Sequence, residues 1–456
     1  MTTLPPANLG TTPGKSLGGW DGRPPGLPSA IPPPSVPLTF LLASAFGLVA
    51  CGAFLIWARN FAIVDPTNDH VVATAHLAML ATLSMGVLGA LHQFTPVITI
   101  RPLRSIKISR ATFLCWLLGA WLLPIGFATT IESIVEAGGF FAGLAVFLLV
   151  VNITPALRAK GKGAPVTGLR LAVIGFVITA CYGIVYVVDR RGNWFDLNGR
   201  VVLAHAIIGM FGWLGLSYVS VAEKLWPMFL LAHVPGRRRS SWVAIWAIAG
   251  GVVLISPALL FNLVWLAWIG AAVLAVGLGA HLYSLLMHVL HRRRKADLHL
   301  LFVVTSAFSL IASVGLALGA TLIMSSHHHL GVALSSCMVG AIGGWLLIAY
   351  IGHLHKVVPF ILWSVLRGKG IKEKSDKTQL MFADLYNHQV AFFDYILVTS
   401  GICAVCIGLA GSFSILLLIG GILLIATGLT VPLNLSVPTL RFLKQAKDTG
   451  APAFDK

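Results

Sequence analysis

The chain has 456 residues, of which 57% are hydrophobic and only 10% charged, with a mean hydropathy of +0.88. A soluble protein carries about a quarter charged residues, so an ordinary soluble enzyme is excluded. The net charge of +17 does not mark a nucleic-acid partner either, because the basic residues sit in connections between apolar runs.

In chain order, the first 37 residues hold ten prolines, no apolar core and no cleavable signal pattern, and read as a disordered, Pro-rich cytoplasmic tail. Twelve apolar runs follow, at about 38–60, 70–98, 110–130, 134–157, 168–189, 200–230, 241–262, 264–290, 298–324, 328–362, 386–410 and 412–434. Runs of this length span a bilayer as helices, since lipid offers no partner for an open backbone. The expected fold is therefore all-α: a polytopic membrane protein with 12 transmembrane helices over 38–434, and a second cytoplasmic tail at 435–456.

Basic clusters follow every second run: Arg101 to Arg110, Arg158 to Arg170, Arg237 to Arg239, Arg292 to Lys295 and Lys369 to Lys377. The alternate connections are neutral or acidic, as at Asp65, Asp69, Glu132 and Glu136. The positive-inside rule then puts both termini in the cytoplasm of an integral protein of a prokaryotic inner or plasma membrane. The lipid bilayer is the partner these charges imply. The six cysteines all fall within apolar runs and read as small hydrophobes, Cys403 and Cys406 included.

Three prolines, Pro96, Pro227 and Pro359, stand near the inner ends of the second, sixth and tenth runs, and the two intervals between them differ by a single position. Four residues before each stands a polar side chain (His92, Glu223, His355), and seven before each a small one (Gly89, Ser220, Gly352). The period predicts three pseudo-symmetric four-helix repeats, about 38–157, 168–290 and 298–434. The small residues predict that the second helix of each is the inner, closely packed one.

Fifteen histidines in so uncharged a membrane chain point to ligands or ion paths. His233, His291, His299 and His388 lie at basic ends and read as interfacial, and His281 with His288 as packing. His76 and His205 open the second and sixth runs, at nearly equal distances before their prolines. His327, His328 and His329 open the tenth, where His329 would lie roughly 15 Å further out than His76 along a continuous helix. His92, Glu223 and His355 form an inner set that, aimed at a common axis, would offer the two-histidine, one-carboxylate ligation of non-heme iron.

Twelve helices with histidines on the second, sixth and tenth resemble subunit I of the heme-copper oxidase superfamily, nitric oxide reductases included. AHLAMLATLSMGVLGALHQFTPV and AHAIIGMFGWLGLSYVSVAEKLWPMF are similar more loosely to NnrS-type heme- and copper-binding membrane proteins. The resemblance implies at least one heme, clamped by His76 and His329, with His327 on a second heme and Met338 as the fallback axial ligand. It implies His205 as a ligand of copper. Residues 241–262 carry no histidine pair, and Gly209 stands where the family has a tyrosine. The copper centre is thus incomplete and oxygen-reducing turnover is not expected.

The expected function is electron transfer or handling of a diatomic gas such as nitric oxide or oxygen, with an electron-donor protein or another membrane subunit as partner. Were it an enzyme, it would be an oxidoreductase of the oxidase or reductase type. The rival readings are a secondary transporter and a copper- or heme-delivery subunit, in which His70 and the histidine triplet pass copper.

Overall fold

A computed structural model describes residues 32–448 except 66, 161–162, 196–198, 235–237 and 375. The expected N-terminal tail falls almost wholly on 1–31, outside the described residues. Among the described residues, twelve helices are long and apolar enough to cross a membrane. They are α1 Ser35–Ala62, α2 Asp69–Thr99, α3 Ile106–Thr129, α4 Glu132–Leu157, α5 Gly163–Gly192, α6 Gly199–Leu230, α7 Arg239–Leu260, α8 Val264–Leu290, α9 Leu298–Ile323, α10 His329–Gly368, α11 His388–Ala410 and α12 Ser414–Lys444. The chain is a polytopic, all-helical membrane protein.

Local chemistry sets many of the boundaries. Side-chain oxygens of Asn68, Ser105, Asp297 and Asn387 accept from first-turn amides and start α2, α3, α9 and α11. At their other ends α2, α3 and α6 close on left-handed residues, Ile100, Thr130 and Leu231. One expected boundary moves. α12 does not stop near 434 but runs on through Pro432 and Pro438, so at least 435–444 is helix rather than tail. Two prolines remove only two backbone donors, while Asn434 ties this stretch to the Asn387 backbone and Leu435 is buried.

Glycine contacts reveal the packing plan. α3 lies against α4, where a Cβ on Gly119 would meet the Ala142 backbone at 2.5 Å. α7 lies against α8 through Gly251, Gly270 and Gly277, and α11 against α12 through Gly401, Gly408 and Gly420. α12 returns to α1, with Gly421 and Gly52 in backbone contact. Without water to drive association, such close approach supplies the dispersion energy that holds helices together in lipid.

α2, α6 and α10 form the interior. Each is interrupted by eight residues of π-helix: Leu77–Ser84, Ile208–Gly215 and Gly340–Leu347. The three segments begin at equal distances before Pro96, Pro227 and Pro359, so they repeat with the same period as the prolines. A π turn leaves carbonyls without their usual partners, and side chains take several of them. Trp116 Nε1 donates to the Leu80 carbonyl, Thr82 to Leu77, and Ser309 to Gly340. Small residues in the three segments meet α1, α5 and α9: Ala81 faces Gly47, Gly212 faces Gly175, and Gly344 faces Ser309.

A Cβ on Gly47 would lie 2.1 Å from the Ala81 carbonyl oxygen, which is backbone and cannot rotate away, whereas one on Gly315 meets nothing within 4 Å. Gly47→Ala should therefore cost about 1–3 kcal/mol and lower the unfolding temperature of the detergent-purified protein. Gly315→Ala should leave it unchanged or raise it slightly.

Candidate functional site

The inner polar residues do not converge. Rows at Leu83, Val87, Ala90 and Phe94 of α2 face the space between α2, α6 and α10, as do Leu214, Tyr218, Val221 and Leu225 of α6 and Leu346, Tyr350, His353 and Val357 of α10. At about 100° per residue, His92 points almost opposite to Ala90, and Glu223 and His355 share its register. His92 is fully buried, stacked on Phe40 of α1 at 5.1 Å, with Nδ1 donating to the Leu88 carbonyl. Glu223 accepts from Ser241 of α7 at 2.5 Å. His355 stacks on Phe302 of α9 and pairs through Nε2 with Asp394 of α11 at 3.1 Å.

The three side chains are therefore held in separate surroundings, and the expected common axis for His92, Glu223 and His355 is corrected. Among the described residues no group of three or more His, Cys, Asp and Glu side chains is gathered as a metal site. The small residues explain the facing. Gly89 and Gly352 bear on Phe40 and Phe302, and Ser220 on Gly168 of α5. A residue three positions on shares that helix face, so the polar residue must also turn toward the neighbouring helix. Each proline then removes the amide that would have bonded the carbonyl of the polar residue four before it.

The outer pair is different. His76 immediately precedes the first π segment and His205 lies three residues before the second. His76 Nδ1 donates to the Val72 carbonyl at 2.8 Å, and its ring lies 5.2 Å from that of Phe127. The His205 ring stands 5.7 Å from that of Tyr186, and its Nδ1 is buried without a partner among the described residues. Gly183 lies beside His205, where a Cβ would make ordinary contact with the ring at 3.4 Å.

Above this pair Arg190 of α5 bonds both carboxylate oxygens of Glu132 and of Asp69, and its guanidinium lies 5.3 Å from the centre of the Phe127 ring. Planar, multidentate pairing of this kind fixes the outer ends of α2, α4 and α5 relative to one another.

The tenth helix keeps its candidates apart from the pair. The stretch from His327 to Val339 is regular α-helix leading into the third π segment. Val339 holds the register of His76 and Cys337 that of His205. His329 is exposed and ten residues before Val339, about 15 Å further out along a regular helix. Met338 is half-buried beside Cys337. The side chains of His327 and His328 lie outside the described residues.

A second polar cluster escapes sequence reasoning. His281, His299 and His353, set on α8, α9 and α10, surround Tyr218 and Phe229. The His299 and His353 rings lie 4.7 Å apart, edge to face. His299, expected at the interface, is instead buried, with 4% exposure. Only the seven-residue spacing of His281 and His288 is visible in the sequence; both are buried on one face of α8.

Among the described residues, fold and site define a membrane protein with twelve helices of spanning length, two of which carry His76 and His205 shortly before their π segments. No protein-family model matches the chain, and comparison with curated proteins gives no significant match.

The His355–Asp394 pair is buried on both sides, at 2% and 0% exposure. His355 Nδ1 donates to the Ile351 carbonyl, and Nε2 faces the carboxylate. Asp394→Ala strands a buried imidazole and should destabilise the protein by about 3 kcal/mol. Asp394→Asn retains a hydrogen bond and should cost clearly less, read as unfolding temperatures of the two variants in detergent.

Proposed function

We propose that the chain is a heme-binding integral membrane protein, built as three four-helix repeats and resembling heme-copper oxidase subunit I, that serves electron transfer or diatomic-gas handling. Its termini lie in the cytoplasm, and it acts without a complete copper centre. The repeat reading is supported by the matched intervals of the prolines and π segments. It is supported also by the equivalent rows that α2, α6 and α10 present to the space between them.

The heme reading rests on one observation, the disposition of His76 and His205. His205 presents a buried Nδ1 without a partner among the described residues, and the His76 ring is tied through Nδ1 to the Val72 carbonyl, the arrangement that fixes the tautomer and orientation of a metal-ligating histidine. The other nitrogen is then left with its lone pair. His76 and His205 would be the residues that hold a heme iron. A heme there would supply a one-electron couple. The protein's own part is to orient the two rings, to keep water away with Phe127 and Tyr186, and to fix the outer helix ends through Arg190.

This assignment replaces the His76–His329 clamp with His76–His205, because His329 sits far out along a regular helix. Met338 and Cys337 remain nearer in depth but carry no comparable anchoring hydrogen bond. Heme-replete expression followed by electron paramagnetic resonance of the purified protein tests the choice. His76→Ala and His205→Ala should each abolish a low-spin ferric signal, while His329→Ala should leave it intact. Loss in His329→Ala with retention in His205→Ala would restore the clamp and overturn the proposed pair.

A further inference from the structure

A cavity of about 510 Å3, open on one side, lies between the connection from α10 to α11 and the last turns of α12. Small-molecule sites usually measure about 300–1,000 Å3. The surrounding packing fixes its walls. Asn434 exchanges hydrogen bonds with the Asn387 backbone and so ties α12 to the start of α11. Leu380 and Leu385 are buried in a cluster with Phe442, which holds the connection against the end of α12.

The polar side chains of the wall divide into acceptors already engaged and donors left over. Asp376 accepts from the Thr378 amide and hydroxyl at 2.9 and 2.5 Å. Asp384 accepts from the Met381 amide at 2.8 Å and faces Lys374 Nζ at 3.5 Å. Asn387 Oδ1 accepts from the Gln389 and Val390 amides, which leaves the Nδ2 hydrogens to donate. Arg441 is exposed and has no ion pair or hydrogen bond among the described residues, and the Tyr386 hydroxyl has no hydrogen bond among them. Guanidinium, amide and phenol thus offer donors and one uncompensated positive charge. Pro438 and the rings of Phe442 and Tyr386 supply apolar wall beside them. An oxygen-rich anion on an apolar body matches this set, and the planar fork of arginine suits phosphate, to which it can donate twice.

We infer that the cavity between the α10–α11 connection and α12 binds the phosphate group of an organic phosphate, held by Arg441, Tyr386 and Asn387. It lies at the end of the bundle opposite to His76 and His205. No heme is needed for it, and its failure leaves the heme reading untouched.

Full-length protein in an uncharged detergent is titrated by calorimetry with phenyl phosphate, with phenol, and with dihexanoyl phosphatidic acid. Phenyl phosphate should bind saturably and at least about tenfold more tightly than phenol, the ratio expected for hydrogen bonds to a charged group. Tighter binding of the phosphatidic acid would assign the phosphate to a lipid headgroup, and tighter binding of phenyl phosphate to a soluble compound. Arg441→Gln should weaken the phosphate probes about tenfold or more, Arg441→Lys should recover part of the loss, and Tyr386→Phe should weaken them several-fold. Lys372→Gln removes the same charge from an exposed place on the connection outside the cavity, and should leave affinity unchanged. No binding of either phosphate probe, equal binding of phenol and phenyl phosphate, or equal losses in Arg441→Gln and Lys372→Gln would overturn the assignment.

Discussion

The close approach of α2, α6 and α10 to the helices around them is the constraint on which the rest of this structure depends. In lipid, helices associate through contact and hydrogen bonding rather than through expulsion of water. Small residues at matched places therefore decide which helices lie inside. Gly47 on Ala81, Gly175 on Gly212 and Ser309 on Gly344 bring α1, α5 and α9 onto the π segments. Further along, Gly89 and Gly352 bear on phenylalanines of α1 and α9, and Ser220 on Gly168 of α5. Once these contacts are made, every other face of the three inner helices is committed.

The commitment explains both sites. Faces turned toward α1, α7, α9 and α11 receive His92, Glu223 and His355, which meet Phe40, Ser241, and Phe302 with Asp394 there. Faces turned toward one another carry rows of leucine, valine and aromatic side chains. The outer ends, beyond the π segments, carry His76 and His205. A π segment shifts the register of all that precedes it relative to all that follows. The interruption thus lets one helix present a packing face on one side and a ligand face on the other.

Much of the architecture is legible in the sequence, because apolar length and proline position are local properties. The twelve spans and the inner position of the second helices can be read directly. The facing of His92, Glu223 and His355 is also written there, three residues after the small residues that mark a helix contact, yet the spacing alone suggests a common axis. The π segments carry no residue signature beyond small and apolar side chains, and only their geometry reveals them. Asp394, 39 residues from His355, and the meeting of His299 with His353 require the fold. The last apolar run ends near 434, yet α12 continues through Pro432 and Pro438, with Asn434 bonded to Asn387 and Leu435 buried.

The central proposal is that His76 and His205, each placed shortly before a π segment, hold a heme. The most direct measurement is the optical spectrum and iron content of full-length protein purified in detergent after heme-replete expression. The account predicts a Soret band with α and β bands sharpening on reduction, and at least one iron per chain. Protein that is monodisperse and folded, yet free of iron and without a Soret band, would contradict it.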